Sequence, residues 1–353
     1  PLQLKFGQVD AIAAALQFET GSRLRVSAGL LYALRHNAGN GHTCLPRDKL
    51  LETTAKFLRV EPQDIEAGLD ELLSTEELRT RTFDGVEYIY LPDLLSAEED
   101  IAARLGQLST FPTEAPKTLD ADIHVLEISQ GFEYAPLQQQ AIRLALSSRV
   151  MVLTGGPGTG KTTTVNAILS LYEAMYDRVA LCAPTGRAAK RLSELTHHAA
   201  STIHRLLEVD YTSGNVQFIH NEKNLLKYDV IILDEMSMVD VKLFQALLAA
   251  ARYHCRIIMV GDADQLPSVG PGNILGEILR ANVVPTVRLT DIFRQAQQSL
   301  IVQNAHRIVE GQMPQKGGVK DDFFMIESNG LACQKLVCDL VSTRLPKAYG
   351  FDP

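Results

Sequence analysis

The chain has 353 residues, enough for about two or three domains, and 46% of them are hydrophobic, which suits well-packed cores. No apolar stretch approaches the roughly 18 residues that cross a membrane. No signal peptide is visible either, so we expect a cytoplasmic protein without a membrane segment. The net charge is −8. Residues 1–135 carry 22 acidic and 12 basic side chains, a net of −10, whereas residues 136–353 carry 20 acidic and 22 basic ones, a net of +2. The negative charge therefore lies in the front part of the chain.

The five cysteines form no CxxC pair, which predicts reduced thiols and neither disulfides nor a structural zinc site. His197, His198 and His204 are close in sequence but lack carboxylate or thiolate partners at ligand spacing. We therefore expect surface positions for them and no metal site.

The front of the chain shows helical periodicity at residues 24–37, at Thr43–Phe57 and again from Pro62. Residues 79–91 then read as a β-hairpin, because two β-prone runs flank the turn dipeptide Asp84-Gly85. Three helices followed by a hairpin predict a mainly α, winged-helix-like domain over residues 21–108. Winged-helix domains often bind DNA, but this one is strongly acidic, so a role in DNA binding and a role in packing or protein contact are equally compatible with the sequence. A helix at 97–108 and the linker 109–120 are expected to lead into the next domain.

A short apolar strand at Val150–Leu153 runs into the sequence GGPGTGKT at residues 155–162. This is the phosphate loop in its expected context, since a strand ends, a Gly-rich turn follows and a helix begins near Lys161. Backbone N–H groups of such a loop face the phosphates, the lysine reaches the β- and γ-phosphates, and the threonine hydroxyl is offered to Mg²⁺. We predict an ATP and Mg²⁺ site built from Gly156, Pro157, Gly158, Thr159, Gly160, Lys161, Thr162 and Thr163.

A second strand, Ala180–Ala183, ends in Pro184, Thr185, Gly186 and Arg187, which open another helix. A helix N-terminus at this place is suited to hold a DNA phosphate. One helix later, the sequence Ser-Thr-Ile-His at residues 201–204 offers further hydroxyl and imidazole contacts. The predicted DNA-binding residues are Pro184, Thr185, Gly186, Arg187, Thr202 and His204.

The apolar run Val230–Leu233 predicts a buried parallel strand that ends in Asp234 and Glu235. Ligands bind at the carboxyl ends of such strands. Asp234 is expected to hold Mg²⁺ together with Thr162, and Glu235 to orient and deprotonate the attacking water. After a third strand, 255–261, Gln265 is placed to report whether the γ-phosphate is present.

These blocks together resemble the RecD-like members of the superfamily 1 helicases, class B. The matching segments, which lie within residues 120–353, read GGPGTGKT, APTGRAAKRL, STIH, LDEMSM, GDADQLPSVGPG and LTDIFRQ. The resemblance implies an α/β fold, in which a RecA-like P-loop NTPase lobe has a parallel sheet with helices on both faces. It also implies that the enzyme hydrolyses ATP and translocates 5′ to 3′ on single-stranded DNA, in DNA repair or recombination.

The resemblance further implies that Gln138 reads the adenine and that Arg294 reaches the γ-phosphate. For Arg294 a surface salt bridge stays open as an alternative. A hairpin near residues 207–220 would be the pin that meets the junction of single- and double-stranded DNA, unless it is an ordinary surface hairpin. Residues 1–20 resemble the tail of a helix-hairpin-helix unit.

The first motor lobe is assigned to residues 121–300 and the start of a second RecA-like lobe to residues 301–353. Because Pro1 is not an initiator methionine and the second lobe barely begins, we expect a truncated polypeptide. Such a chain, taken as a monomer, should bind ATP weakly and unwind DNA poorly or not at all.

Two other functions remain open on the sequence alone. The chain would fit the helicase lobe of a relaxase or of a multi-subunit exonuclease. It would also fit a regulatory ATP-binding module that docks on DNA forks or on a repair-protein partner through the front domain.

Overall fold

The computed structural model describes residues 5–19, 21–111, 113–175, 178–210, 217–293, 297–318 and 321–350. The chain divides into two compact units, the first ending at Asp291 and the second beginning at Ile292. The sequence placed the corresponding boundary at residues 300 and 301.

The front region combines helices with a small antiparallel sheet, as a winged-helix-like domain requires. The sheet has the order β1-β3-β2, and β2 and β3 form the predicted hairpin around Asp84-Gly85. Its core is apolar and includes Leu30, Leu50 and Leu69, all fully buried. The elements are α1 (Phe6–Ala15), α2 (Arg23–Ala38), β1 (Cys44–Pro46), α3 (Arg47–Leu58), α4 (Pro62–Ser74), β2 (Arg79–Phe83) and β3 (Val86–Tyr90).

A six-stranded sheet, in which every pair of neighbouring strands is parallel, forms the centre of the first unit. Strands β4 and β9 are buried along their whole length, as expected of parallel strands covered on both faces. The strand order is β11-β4-β10-β9-β5-β6. The strands are β4 (Val150–Gly155), β5 (Val179–Ala183), β6 (Ala200–Thr202), β9 (Val230–Leu233), β10 (Arg256–Gly261) and β11 (Thr286–Leu289).

Helices cover both faces of this sheet, which confirms the predicted fold class. Alternate strand residues separate the two cores, so that Val152 and Met259 face one layer while Leu153 and Ile258 face the other. The flanking helices are α5 (Pro92–Thr110), α6 (Leu119–Gln130), α7 (Pro136–Ser147), α8 (Lys161–Ala174), α9 (Gly186–Thr196), α10 (Ile203–Leu207), α11 (Val241–Ala250) and α12 (Ile274–Ala281).

Helix α5 differs from the sequence interpretation, which began it at residue 97 and counted it with the front domain. It starts at Pro92, and its apolar face (Leu94, Ile101 and Leu105 among others) belongs to the same core as the large sheet. Two backbone carbonyls fix the contact further, because the Arg104 guanidinium donates to the oxygens of Ala251 at 3.3 Å and Arg252 at 2.8 Å. The helix therefore joins the front region firmly to the lobe.

The second unit contains helices α13 (Leu300–Val309), α14 (Gly330–Asp339) and α15 (Leu345–Tyr349). Among its described residues only Asn304 is buried. The Asn304 amide donates to the carbonyl of Gln315 at 2.9 Å, and its oxygen accepts from the Gln315 N–H at 2.7 Å.

Candidate nucleotide and nucleic-acid site

The phosphate loop lies between β4 and α8, where the sequence predicted it. Gly158 and Gly160 have φ angles of +77° and +85°, which side chains with a Cβ atom rarely adopt. The buried Thr159 hydroxyl donates to the Gly156 carbonyl at 2.9 Å and holds the turn closed. Because Gly160 is the N-cap of α8 and has no side chain, the first N–H groups of the helix are left to an anion.

Lys161 is directed into the loop that precedes it. Its Nζ donates to the carbonyl oxygens of Gly155 at 2.5 Å and Gly156 at 3.0 Å. Burial lowers the pKa of Lys161, and the carboxylates of Asp262, Asp234 and Glu235 oppose that shift. Lysine and carboxylates therefore share one electrostatic environment, as phosphate and metal binding require.

Asp234 and Glu235 follow β9 at the same edge of the sheet. Burial raises the pKa of both carboxyl groups, and for Glu235 the neighbouring Asp234 charge raises it further. Asp234 Oδ1 accepts the N–H of Glu235 at 2.9 Å, while Glu235 itself has a φ of +54°, a left-handed conformation uncommon for a residue with a side chain. Two differently placed carboxylates suit one metal ligand and one base.

Three residues that the sequence reading did not assign lie in this environment. Asp262, at the end of β10, is 4% exposed, and its carboxylate accepts the N–H of Asp264 at 3.0 Å. Arg191, on α9, lowers the pKa of Asp234 and Glu235 against the effect of burial. Ser237, in the short 3-10 helix after the two carboxylates, donates its hydroxyl to Oε1 of the exposed Gln265 at 3.5 Å. The aspartate at a strand end was the available sequence signal for Asp262.

Gln138 is 3% exposed and uses both ends of its amide within the protein. Its Oε1 accepts the Ala135 N–H at 3.0 Å, and its Nε2 donates to the Gly160 carbonyl at 3.3 Å. The side chain therefore links the start of α7 to the phosphate loop. In this geometry it braces the loop, and the adenine contact implied by the resemblance stays a prediction.

The donors expected for Mg²⁺ are chemically suitable. Thr162 lies in the first turn of α8 beside Lys161, and the partly buried Asp234 carboxylate has Lys161 as an electrostatic neighbour. Hydroxyl and carboxylate oxygens are the hard ligands that Mg²⁺ prefers, usually together with waters and substrate phosphates. The residues therefore fit the ion.

The predicted DNA residues lie at the carboxyl ends of β5 and β6, which pair in parallel with Ala183 opposite Thr202. Thr185 is the N-cap of α9 and accepts the Ala188 N–H at 3.2 Å, and Thr202 caps α10 by accepting the Arg205 N–H at 3.1 Å. Arg187 and His204 are exposed close to these two helix starts. Pro184 directly follows β5, and Gly186 is the first residue of α9.

The base of the predicted pin is an antiparallel pair, β7 (Val209–Asp210) with β8 (Gln217–Phe218). Residues 211–216, between these two strands, lie outside the described residues, and so does Arg294. Their predicted roles therefore stay predictions.

Other kinds of site find no support in the part of the chain that the structure describes. There, no group of three or more His, Cys, Asp or Glu side chains converges, as a metal site built from protein ligands alone, such as structural zinc, would require. All five cysteines are described and none is joined to another. No described helix combines the length and apolar character needed to span a bilayer.

Comparison with known proteins gives a matching family model and several curated relatives. A family model described as an AAA domain matches residues 138–271. The chain is 36% identical over 317 residues to the ATP-dependent RecD2 DNA helicase of Deinococcus radiodurans, which is 87% of this chain and 43% of that protein. It is 41% identical over 216 residues to the RecBCD enzyme subunit RecD of Mycobacterium tuberculosis, covering 54% of this chain and 36% of that protein.

The chain thus spans less than half of the length of these curated relatives. Among solved structures, that of the Pif1 helicase from Candida albicans matches 61% of this chain and 55% of that chain, with a TM-score of 0.43 and 20% identity.

Proposed function

Because the chain belongs to the RecD-like superfamily 1 helicases, we propose that it is the ATP-hydrolysing part of a DNA helicase that moves 5′ to 3′ on single-stranded DNA. One observation carries the proposal. The phosphate loop, the Asp234–Glu235 pair and the Gln265 loop all follow strands at the same carboxyl edge of one parallel sheet. A site of this composition is suited to phosphoryl transfer to water.

In the proposed reaction, Lys161 and the N–H groups at the start of α8 bind the β- and γ-phosphates of ATP. Mg²⁺, held by Thr162 and Asp234, would neutralise phosphate charge. Glu235 orients the attacking water and accepts its proton, which is consistent with the raised pKa of its carboxyl group. Gln265 senses the γ-phosphate, and Arg294 is proposed to stabilise the transition state.

Single-stranded DNA is proposed to lie across the ends of β5 and β6, where Arg187, Thr202 and His204 would contact its phosphates. The hairpin based on β7 and β8 would meet the junction with duplex DNA. The division into a helix-hairpin-helix tail (1–20), a winged-helix-like domain (21–108), a first lobe (121–300) and the start of a second (301–353) is part of this proposal.

The decisive experiment measures ATP hydrolysis by the full-length protein with and without single-stranded DNA. We expect DNA to stimulate turnover, and Glu235→Gln to abolish it while nucleotide still binds, because an amide cannot accept the proton of water. Glu194→Gln, which alters an exposed carboxylate on α9, is the matched control. Turnover without any response to DNA, or full activity in Glu235→Gln, would contradict the proposal. Duplexes with only a 5′ or only a 3′ tail then test the polarity.

The second candidate is a helicase subunit of a multi-subunit nuclease, and the 41% identity to a RecBCD enzyme subunit favours it. The two functions predict different behaviour of the purified protein. A helicase that acts alone elutes as a monomer, and its full-length form unwinds tailed DNA without a partner. A subunit shows weak unwinding that rises when partner subunits are added.

A further inference from the structure

The loop that carries Gln265 is held by its own lobe at several points. The Ser268 hydroxyl, 8% exposed, lies 2.9 Å from the carbonyl oxygens of both Gly270 and Gly272 and donates to them. The Val241 N–H donates to the Pro271 carbonyl at 2.9 Å. These contacts fix the end of the loop against the start of α11.

The front region supplies one more contact to the same loop end. The Gly272 N–H donates to the carbonyl of Gly41 at 3.0 Å, and Gly41 lies in the turn that joins α2 to β1. Both glycines have positive φ angles, +92° at Gly41 and +97° at Gly272. A Cβ atom on Gly272 would lie 3.6 Å from Thr43 Cγ2, so the Thr43 side chain of the same turn also packs near Gly272. This turn, residues 39–43, is called the front turn below.

The small sheet that follows the front turn is fixed to the lobe through α5, independently of that hydrogen bond. Gln245, on α11, donates to Asp100 of α5 at 2.7 Å, and Lys242 pairs with Asp93 of the same helix. Just after the turn, Cys44 pairs with Tyr90 in the small sheet, which continues directly into α5. The turn therefore has a defined position relative to the sheet that carries the ATP site.

We propose that the front turn is a positioning element for Gln265, so that the front region helps to set the response of the ATP site to the γ-phosphate. The inference rests on the proposed function of Gln265. The two ends of the loop 265–272 lie only seven positions apart in the sequence. At one end Gln265 contacts Ser237, beside the carboxylates, and at the other end Gly272 contacts Gly41. Displacing one end of so short a loop displaces the other.

The test perturbs Gly41 without crowding it. In Gly41→Ala the new Cβ meets nothing within 4 Å, so the change acts through the backbone strain of a positive φ. Gly85→Ala is the matched control, because Gly85 has φ +77°, lies in the hairpin turn of the same front region and also faces open space. The readouts are kcat and KM for ATP, and the ratio of the Kd values for ADP and for the non-hydrolysable analogue adenylyl imidodiphosphate.

We expect Gly41→Ala to lower kcat about 5-fold and to bring the Kd ratio close to that of Gln265→Ala, as for a coupling residue. ADP affinity should hardly change, because the phosphate loop is untouched. Gly85→Ala should leave kcat, KM for ATP and the Kd ratio unchanged, although it should lower thermal stability by a similar amount. Gly41→Asn, which tolerates positive φ better than alanine, should recover part of kcat.

The double variant separates positioning from general damage. If the front turn acts through Gln265, Gly41→Ala changes the Kd ratio in the unaltered protein but not in Gln265→Ala. Equal effects of Gly41→Ala and Gly85→Ala, or a full additional effect in the Gln265→Ala background, would overturn the inference. If Gln265→Ala itself leaves the Kd ratio unchanged, the proposed role of Gln265 fails, and the inference about the front turn fails with it.

Discussion

The ends of β4 and β5 use the same structural device in different ways. At each, a strand of the central sheet runs through a short turn into the N-terminus of a helix. After β4 the N-cap is Gly160, and Lys161 is partly buried among carboxylates. After β5 the N-cap is Thr185, whose own hydroxyl accepts the Ala188 N–H, and Arg187 is exposed.

The difference assigns the two helix starts to different ligands. An uncapped helix start keeps its N–H groups and its partial positive charge for a bound anion. At α9 the threonine already takes one of those N–H groups, so exposed side chains must supply more of the attraction. The first arrangement, at Gly160 and Lys161, is called the enclosed site below and suits a triphosphate that must be held firmly. The second, at Thr185 and Arg187, is called the open site and suits a DNA backbone that has to be released at every step.

The largest effect is expected from Lys161→Ala, which removes the partly buried cation from the enclosed site. We expect ATP turnover to fall by about 100-fold or more, as when a preorganised charge-stabilising group is lost. DNA affinity in the absence of nucleotide should stay within about 2-fold, because the exposed helix start is unaltered. Steady-state hydrolysis measures the turnover, and fluorescence anisotropy with labelled DNA measures the DNA affinity.

Lys56→Ala, which alters an exposed lysine of the front region, is the control. Unchanged turnover in Lys161→Ala would favour a regulatory nucleotide site.

Gly160→Ala tests whether the enclosed site depends on its backbone. With φ at +85°, the new Cβ introduces strain of roughly 1–2 kcal/mol, which the loop can relieve only by turning its N–H groups away from the phosphates. We expect nucleotide affinity to fall about 10-fold or more, as measured by calorimetry. Gly131→Ala is matched to it, because Gly131 has φ +74°, ends α6 and faces open space. Equal nucleotide affinity in the two variants would contradict this account of the loop.

A smaller effect is expected from Arg187→Ala at the open site. Removing one phosphate contact should weaken binding to single-stranded DNA of any sequence and reduce the slope of log K against log salt by about 0.7. The basal ATP turnover should not change. Arg280→Ala, at the exposed end of α12, serves as the control. A DNA affinity and salt slope equal to those of the unaltered protein would remove Arg187 from the interface.

The sequence predicted the conformation of the phosphate loop better than that of its surroundings because the signals there are local. An apolar strand, a Gly-rich turn and a helix are adjacent in the chain, so the loop at residues 155–162 was confirmed in place. The buried amide of Gln138 contacts the Gly160 carbonyl 22 residues later, which no local pattern reveals. Strand β1 was missed because three residues that include Pro46 form a strand only by pairing with β3.

The same reasoning explains why α5 was assigned to the front domain. Its apolar periodicity shows that one face is buried, but periodicity does not say against which core. The structure packs that face against the large sheet. Contacts between distant segments, among them the one between Gly41 and Gly272, follow from the assembled fold.

The smallest effect is expected where the two helix starts differ most, at Gly186. Unlike Gly160, Gly186 is not among the residues with positive φ, and a Cβ atom built on it meets nothing within 4 Å. Gly186→Ala should therefore stabilise the protein by about 0.4–1 kcal/mol, because alanine restricts the unfolded chain without strain in the folded one. DNA affinity should be unchanged, since the backbone N–H remains. Thermal unfolding and DNA titration measure both. A loss of DNA affinity as large as that of Arg187→Ala would show that the phosphate approaches this backbone closely, and the open site would then resemble the enclosed one.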